Sequence, residues 1–73
     1  MIKENSIITL GKNHKYLVCY SVMINNINYI LVSNIDNPLD TCFYEYTGGK
    51  NLNLIKDEEV INKLLEMYKK DKL

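Results

Sequence analysis

Up to about residue 56 the chain is a series of short apolar runs broken by polar turns; beyond it the apolar positions recur every three to four residues instead of every two. Ser6–Leu10 (SIITL) is a β-branched run that ends at Gly11-Lys12-Asn13-His14, which predicts a first, edge strand followed by a polar turn. Lys15–Ile24 (KYLVCYSVMI) and Ile27–Ile35 (INYILVSNI) contain neither Gly nor Pro and are separated by Asn25-Asn26 alone. Asn tolerates positive φ better than other residues bearing a Cβ, so this pair predicts a two-residue type I′ hairpin. Asp36-Asn37-Pro38-Leu39-Asp40 then interrupts the pattern, because Pro cannot donate to a ladder and Asn and Asp favour turns. Thr41–Tyr46 (TCFYEY) and Asn51–Ile55 (NLNLI) flank Thr47-Gly48-Gly49-Lys50, a second tight hairpin in which Gly48-Gly49 supply two positive φ values.

A two-residue turn fixes register by arithmetic. Ile24 falls opposite Ile27, Val22 opposite Tyr29, Tyr20 opposite Leu31 and Cys19 opposite Val32. One face then carries Tyr16, Val18, Tyr20, Val22, Ile24, Ile27, Tyr29, Leu31 and Ile35, and as the larger continuous face it is assigned to the core. The other carries Leu17, Cys19, Ser21, Met23, Asn28, Ile30, Val32 and Asn34, a mixture suited to a half-exposed face. In the second hairpin Phe43 falls opposite Leu54 and Tyr44 opposite Asn53, so that Phe43, Leu52 and Leu54 join the core face and Tyr44, Tyr46, Asn51 and Asn53 the other.

The last segment predicts a helix over about residues 58–70. Asp57 is a good N-cap, Glu58 and Glu59 meet the positive end of the helix dipole, and Lys69, Lys70 and Lys72 the negative end. Val60, Ile61, Leu64, Leu65 and Tyr68 form one apolar stripe. Glu59 with Lys63, and Glu66 with Lys70, are i,i+4 pairs in the favoured order. The expected fold class is therefore α+β, a single domain over 1–73: an antiparallel four- to five-stranded β-meander with one C-terminal amphipathic helix packed on one sheet face.

Composition sharpens this picture. The 73 residues include 34 apolar ones, among them 9 Ile, 9 Leu and 6 Tyr but no Ala, so nearly every apolar position brings a large side chain, and an ordered domain is expected. Ile, Asn and Lys make up 28 residues while Ala, Arg, Gln and Trp are absent, the signature of an A/T-rich bacterial, phage or mobile-element gene. Nine basic side chains balance nine acidic ones. This balance, with no Arg for bidentate phosphate or guanine contacts, argues against a dedicated nucleic-acid binder. No run reaches the ~18 apolar residues of a membrane span and Met1–Leu10 lacks a signal-peptide pattern, so no membrane partner and a cytoplasmic location are expected.

The order of these features resembles a family of small proteins, found mainly in low-GC Gram-positive bacteria, known as domain of unknown function 1292. The matching pieces are Ile7-Ile8-Thr9-Leu10 before a polar turn, the alternation Tyr16, Val18, Tyr20, Val22, then Tyr29-Ile30-Leu31, Phe43–Tyr46, Leu54-Ile55 and the helix start Asp57-Glu58-Glu59. Members are usually strongly acidic with Gly in the first turns, whereas this chain is neutral and Asn-rich. The resemblance implies a helix packed against a sheet and, since the family has no established activity, no catalytic residues.

Catalytic, cofactor and metal assignments are none. His14 is the sole histidine and sits in a polar turn, read as an exposed loop residue. Pro38 and Leu39 occupy the places where a calcium loop between Asp36 and Asp40 would need oxygen ligands. Thr47-Gly48-Gly49-Lys50 is followed by a strand, whereas a phosphate-binding loop is followed by a helix. Cys19 and Cys42 lie far apart without a CxxC pair and read as reduced, partly buried thiols, pairing only if strands align them. What remains is the second sheet face. Leu17, Cys19, Met23, Ile30, Val32, Tyr44 and Tyr46, framed by Asn, form an uncharged surface of interface-like composition, with an ordinary wet sheet face as the alternative. The expected function is a non-enzymatic protein-binding module, an adaptor or inhibitor that self-associates or docks a protein partner through this face. The alternative is a single-stranded nucleic-acid or small-ligand binder using the same face.

Overall fold

The computed structural model describes residues 1–73 and has five antiparallel strands followed by one helix: β1 Ile7–Leu10, β2 His14–Ile24, β3 Ile27–Asn34, β4 Thr41–Tyr46, β5 Leu52–Leu54 and α1 Glu58–Lys72. The strands pair in chain order, a five-stranded meander in a curled sheet. Asn25 and Asn26 make the β2–β3 turn at φ 51° and 66°, as a type I′ turn requires. Ile24, Val22 and Tyr20 accordingly face Ile27, Tyr29 and Leu31. Asn13 at φ 68° and Gly11 at φ 60° close the β1–β2 turn one residue earlier than the sequence suggested, making His14 the first, exposed residue of β2 opposite Leu10.

Register departs from the arithmetic beyond Tyr20. Val18, not Cys19, faces Val32, because β2 bulges between Val18 and Tyr20 and leaves Cys19 without a partner. A bulge reverses the parity of a strand. The run Tyr16, Val18, Tyr20, Val22, Ile24, which period two assigns to one face, is divided between two. Tyr16 and Val18 cross to the side of Ile30 and Val32, while Tyr20 and Val22 stay with Leu31 and Phe43. Cys19 itself packs on the latter side.

Both faces of the sheet are therefore core. On the concave face Tyr16, Val18, Ile30 and Val32 form a cluster in which Val18, Ile30 and Val32 have no solvent exposure, with Ile8, Leu10, Tyr44 and Leu52 packed around it. A half-exposed second face is thus corrected to a buried one. Each fully buried aliphatic side chain there is worth ~1.5–3 kcal/mol relative to exposure. The N-terminal segment closes one end of this face, where Ile2 packs on the cluster. The buried polar pair Ser21 and Asn28 is satisfied there: Ile2 N–H donates to Asn28 Oδ1 (2.8 Å), Ser21 Oγ to the Ile2 carbonyl oxygen (2.6 Å) and Asn28 Nδ2 to Ser21 Oγ (2.9 Å).

The β4–β5 connection is corrected as well. Thr47 N–H donates to the Asn51 carbonyl (3.1 Å), so the turn holds three residues, Gly48-Gly49-Lys50, where two were expected. The extra residue shifts register by one, pairing Tyr44 with Leu54, Glu45 with Asn53 and Tyr46 with Leu52. Leu52 thereby joins the concave cluster and Leu54 stays 46 % exposed, neither sharing the face of Phe43. Ile35, expected in the core, lies beyond β3 and is 48 % exposed.

The helix packs on the opposite face through the expected stripe. Leu64 is buried against Tyr20, Leu31 and Phe43, and Val60, Ile61, Leu65 and Tyr68 flank it. Asp57 caps the first turn by accepting from the Glu59 N–H (2.9 Å). The rings of Tyr20 and Tyr68 meet edge to face at 5.5 Å. The i,i+4 pairs do not close; the ion pair of the fold is instead Lys72 Nζ to Glu4 Oε1 (2.5 Å), which joins the helix end to the N-terminal segment. If both faces are core, Ile30→Ala and Leu64→Ala each destabilise by about 2–5 kcal/mol in chemical denaturation; a loss below ~1 kcal/mol for Ile30→Ala would restore the half-exposed reading.

Candidate functional site

The structure disperses the seven interface candidates. Ile30 and Val32 are fully buried, out of reach of any partner of the folded chain. Tyr44 is half-buried against the concave cluster. Tyr46, also half-buried, donates its hydroxyl to the Gly49 carbonyl (3.0 Å), bracing the last turn. Leu17 pairs with Ile7 at the sheet margin and is half-buried. Met23, at 48 %, is the one exposed member. Met23 and Tyr46 border recesses elsewhere on the surface, and of the seven only Cys19 lines the recess on the helix side.

That recess is a groove of about 460 Å³ along the seam between α1 and the sheet. Its walls are Cys19, Leu31 and Phe43 from the strands, Ile55 from the connection before the helix, and Ile61, Leu65 and Tyr68 from α1; Ser33 and Thr41 form a polar end. No lining side chain is charged. Local folding accounts for it. The bulge turns Cys19 to this side, and the Ile55 N–H donates to the Phe43 carbonyl (3.0 Å), holding the entry to the helix against β4. Thr41 Oγ1 lies 2.9 Å from Ser33 Oγ and 2.7 Å from the Pro38 carbonyl, fixing the polar end. In the sequence, Ile61, Leu65 and Tyr68 read as core stripe; that they overhang a groove depends on helix placement, which spacing does not encode.

No three His, Cys, Asp or Glu side chains converge as a metal cluster would. Cys19 and Cys42 are free, and β3 lies between their strands. Two ladder spacings of ~4.8 Å exceed the ~7 Å Cα limit for a disulfide. Burial pushes both thiols up, with Asp40 adding to the effect at Cys42, so neither is an activated thiolate. The polar contacts instead tie the chain together. Tyr16 donates its hydroxyl to Asp40, to which Asn34 Nδ2 also donates (3.3 Å), binding the β3–β4 connection to β2. Tyr20 donates to Asp71 at the helix end.

Both tyrosine contacts carry a pH signature. Burial first, and then the Asp71 carboxylate, push the Tyr20 hydroxyl up to about 12 from 10.0. A raised value in the folded state means stability that is full below the unfolded value and lost as pH rises through the folded one. The hydrogen bonds from Tyr16 and then Asn34 hold Asp40 below its ordinary 3.8, a contribution present above that value and lost as pH falls through the lowered one. Comparing denaturation curves, Tyr20→Phe should narrow its stability gap to the wild type between pH 10 and about 12, and Asp40→Asn should do so as pH falls below 3.8. Gaps that stay constant across these ranges would detach the two contacts from folding.

Among family models, curated proteins and solved structures, nothing matches this chain.

Proposed function

We propose that the chain is a small non-enzymatic protein-binding module, an adaptor or inhibitor, and that the groove between α1 and the sheet receives an apolar anchor side chain of its partner. The observation that carries this reading is the uncharged, largely apolar lining of a groove whose walls belong to regular elements. Interface cores are depleted of charge and enriched in aromatic residues, and binding energy concentrates where an anchor fills a desolvated pocket. The proposal moves the docking surface from the concave sheet face to the helix side. Scattered exposed side chains such as Leu39 and Leu73 lie outside the groove.

An apolar small molecule in the same groove is the second reading, favoured by a volume within the ~300–1,000 Å³ range of ligand pockets. Single-strand binding has less support, since Tyr44 and Tyr46 are engaged in packing or hydrogen bonding and are not free stacking platforms. No helix is long and apolar enough to cross a membrane, and action inside a bacterial cell, on behalf of the cell or of a phage or plasmid, belongs to the same proposal. So does kinship with domain of unknown function 1292, which rests on the sequence pattern alone and adds no activity.

Thr41→Arg at the exposed polar end and Leu65→Glu at the helix wall both obstruct the groove, while Met23→Lys changes an exposed site outside it. In affinity capture from bacterial lysate, a partner held through the groove should be lost at least tenfold with the first two and retained with Met23→Lys, with circular dichroism showing all three folded. Capture unaffected by either groove substitution, or lost equally with Met23→Lys, would sink the proposal. Native mass spectrometry showing a co-purified small molecule displaced by Leu65→Glu would favour the second reading.

A further inference from the structure

β1 and β5 are the two ends of the sheet, and no ladder joins them. The sheet nevertheless curls far enough that both border one recess of about 610 Å³, lined by Ile8 and Leu10 from β1 and by Tyr46, Lys50 and Leu52 from the last hairpin. Direction decides what can close this seam. Each strand runs antiparallel to its neighbour, so in a meander of five the first and the last run the same way. One further strand, antiparallel to both, extends the two ladders at once and completes a six-stranded antiparallel barrel, which the chain's own five strands cannot do.

The backbone of both margins is turned toward that missing strand. Val18 N–H donates to the Ser6 carbonyl (2.9 Å), and alternation along the ladder then directs the N–H and C=O of Ile8 and Leu10 to β2 and those of Ile7 and Thr9 to the seam. On β5 the Thr47 N–H to Asn51 carbonyl (3.1 Å) and Ile55 N–H to Phe43 carbonyl (3.0 Å) bonds engage Asn51 and Ile55 with β4, so Leu52 and Leu54 are the residues turned outward. Neither edge contains the Lys or Pro that commonly blocks pairing at an open edge. Ile7 at 58 % and Leu54 at 46 % exposure leave apolar surface on the two margins.

We propose that the seam binds an extended segment of a partner protein, running antiparallel to β1 and β5 and hydrogen-bonded to both. Main-chain bonds supply affinity and side chains at alternate positions select. Every second residue of the segment faces inward over Ile8, Leu10 and Leu52, which pack around the concave cluster, and is apolar. Lys50 is the one charged residue lining the recess, so the segment carries an acidic side chain opposite it. This site shares no lining residue with the groove beside α1.

The probe is a random octapeptide library displayed on phage and selected against the full chain, with the enriched peptides then synthesised. They should alternate apolar and polar residues with Asp or Glu enriched, and binding should slow hydrogen exchange of the Ile7, Thr9, Leu52 and Leu54 amides at least tenfold. Thr9→Pro and Leu54→Pro each delete a seam-facing N–H and no ladder bond, and should weaken binding at least tenfold with circular dichroism unchanged. N-methylation of alternate peptide residues, which leaves the protein untouched, should weaken it as much, whereas Leu65→Glu in the groove should leave it unchanged. No enrichment of such peptides, no protection of the four amides, indifference to N-methylation, or binding lost with Leu65→Glu overturns the inference. Protection of the same amides without peptide, in a dimer seen by light scattering, would assign the seam to a second copy and overturn it too.

Discussion

Between Val18 and Tyr20 the β2–β3 ladder steps over Cys19, and the placement of nearly every large side chain follows from that step. Without it β2 would send Tyr16, Val18, Tyr20, Val22 and Ile24 to one side and leave the other with Leu17, Cys19, Ser21 and Met23. With it the strand contributes Tyr16 and Val18 to the concave cluster and Tyr20 to the helix cluster. A bulge also bends its strand and increases twist, in keeping with a curled sheet whose inner face can be closed by a few residues. The wealth of large apolar side chains in so short a chain is thereby absorbed by two thin cores on either side of one sheet. A domain of this size is hard to stabilise with one.

Burying both faces puts polar groups inside, and each has a partner. No buried side-chain nitrogen or oxygen lacks a hydrogen bond. Asn28 and Ser21 take the backbone of Ile2, Tyr16 is matched to Asp40 and Tyr20 to Asp71. These contacts join segments remote in sequence, so the N-terminal arm, the β3–β4 connection and the helix end are tied to β2, directly or through its neighbour β3. The strand that carries the bulge is also the one to which the loose parts of the chain are fastened.

Local signals in the sequence were sufficient for the elements. Asn25-Asn26, Pro38, the Asp57 cap and the Val60–Tyr68 stripe each act within a few residues, and the strands, the first hairpin register and the helix follow from them. What did not follow depends on a count of one. A bulge at Cys19 and a third residue in the Gly48–Lys50 turn leave no mark in composition, yet each moves a set of side chains to the other face. The interface candidates inherit that error, since without the bulge the face opposite Ile30 and Val32 counts as the larger apolar one, whereas Tyr16 and Val18 in fact lie beside them. A signal was present in Tyr29-Ile30-Leu31-Val32: a run apolar at every position suits a strand buried on both sides. The groove was legible only in part, as its walls come from four separate elements and the tilt of the helix decides what it leaves uncovered.

The functional reading rests on this architecture, because only a bulge that turns Cys19 and Tyr20 toward the helix builds the groove where it is. The most direct measurement is a methyl-resolved nuclear Overhauser spectrum of the whole chain. The account predicts contacts from the Val18 methyls to Ile30 and Val32, together with contacts from the Tyr20 ring to Tyr68 and Leu64. Contacts from Val18 to Phe43 or Leu64, placing Val18 and Tyr20 on the same face, would contradict it.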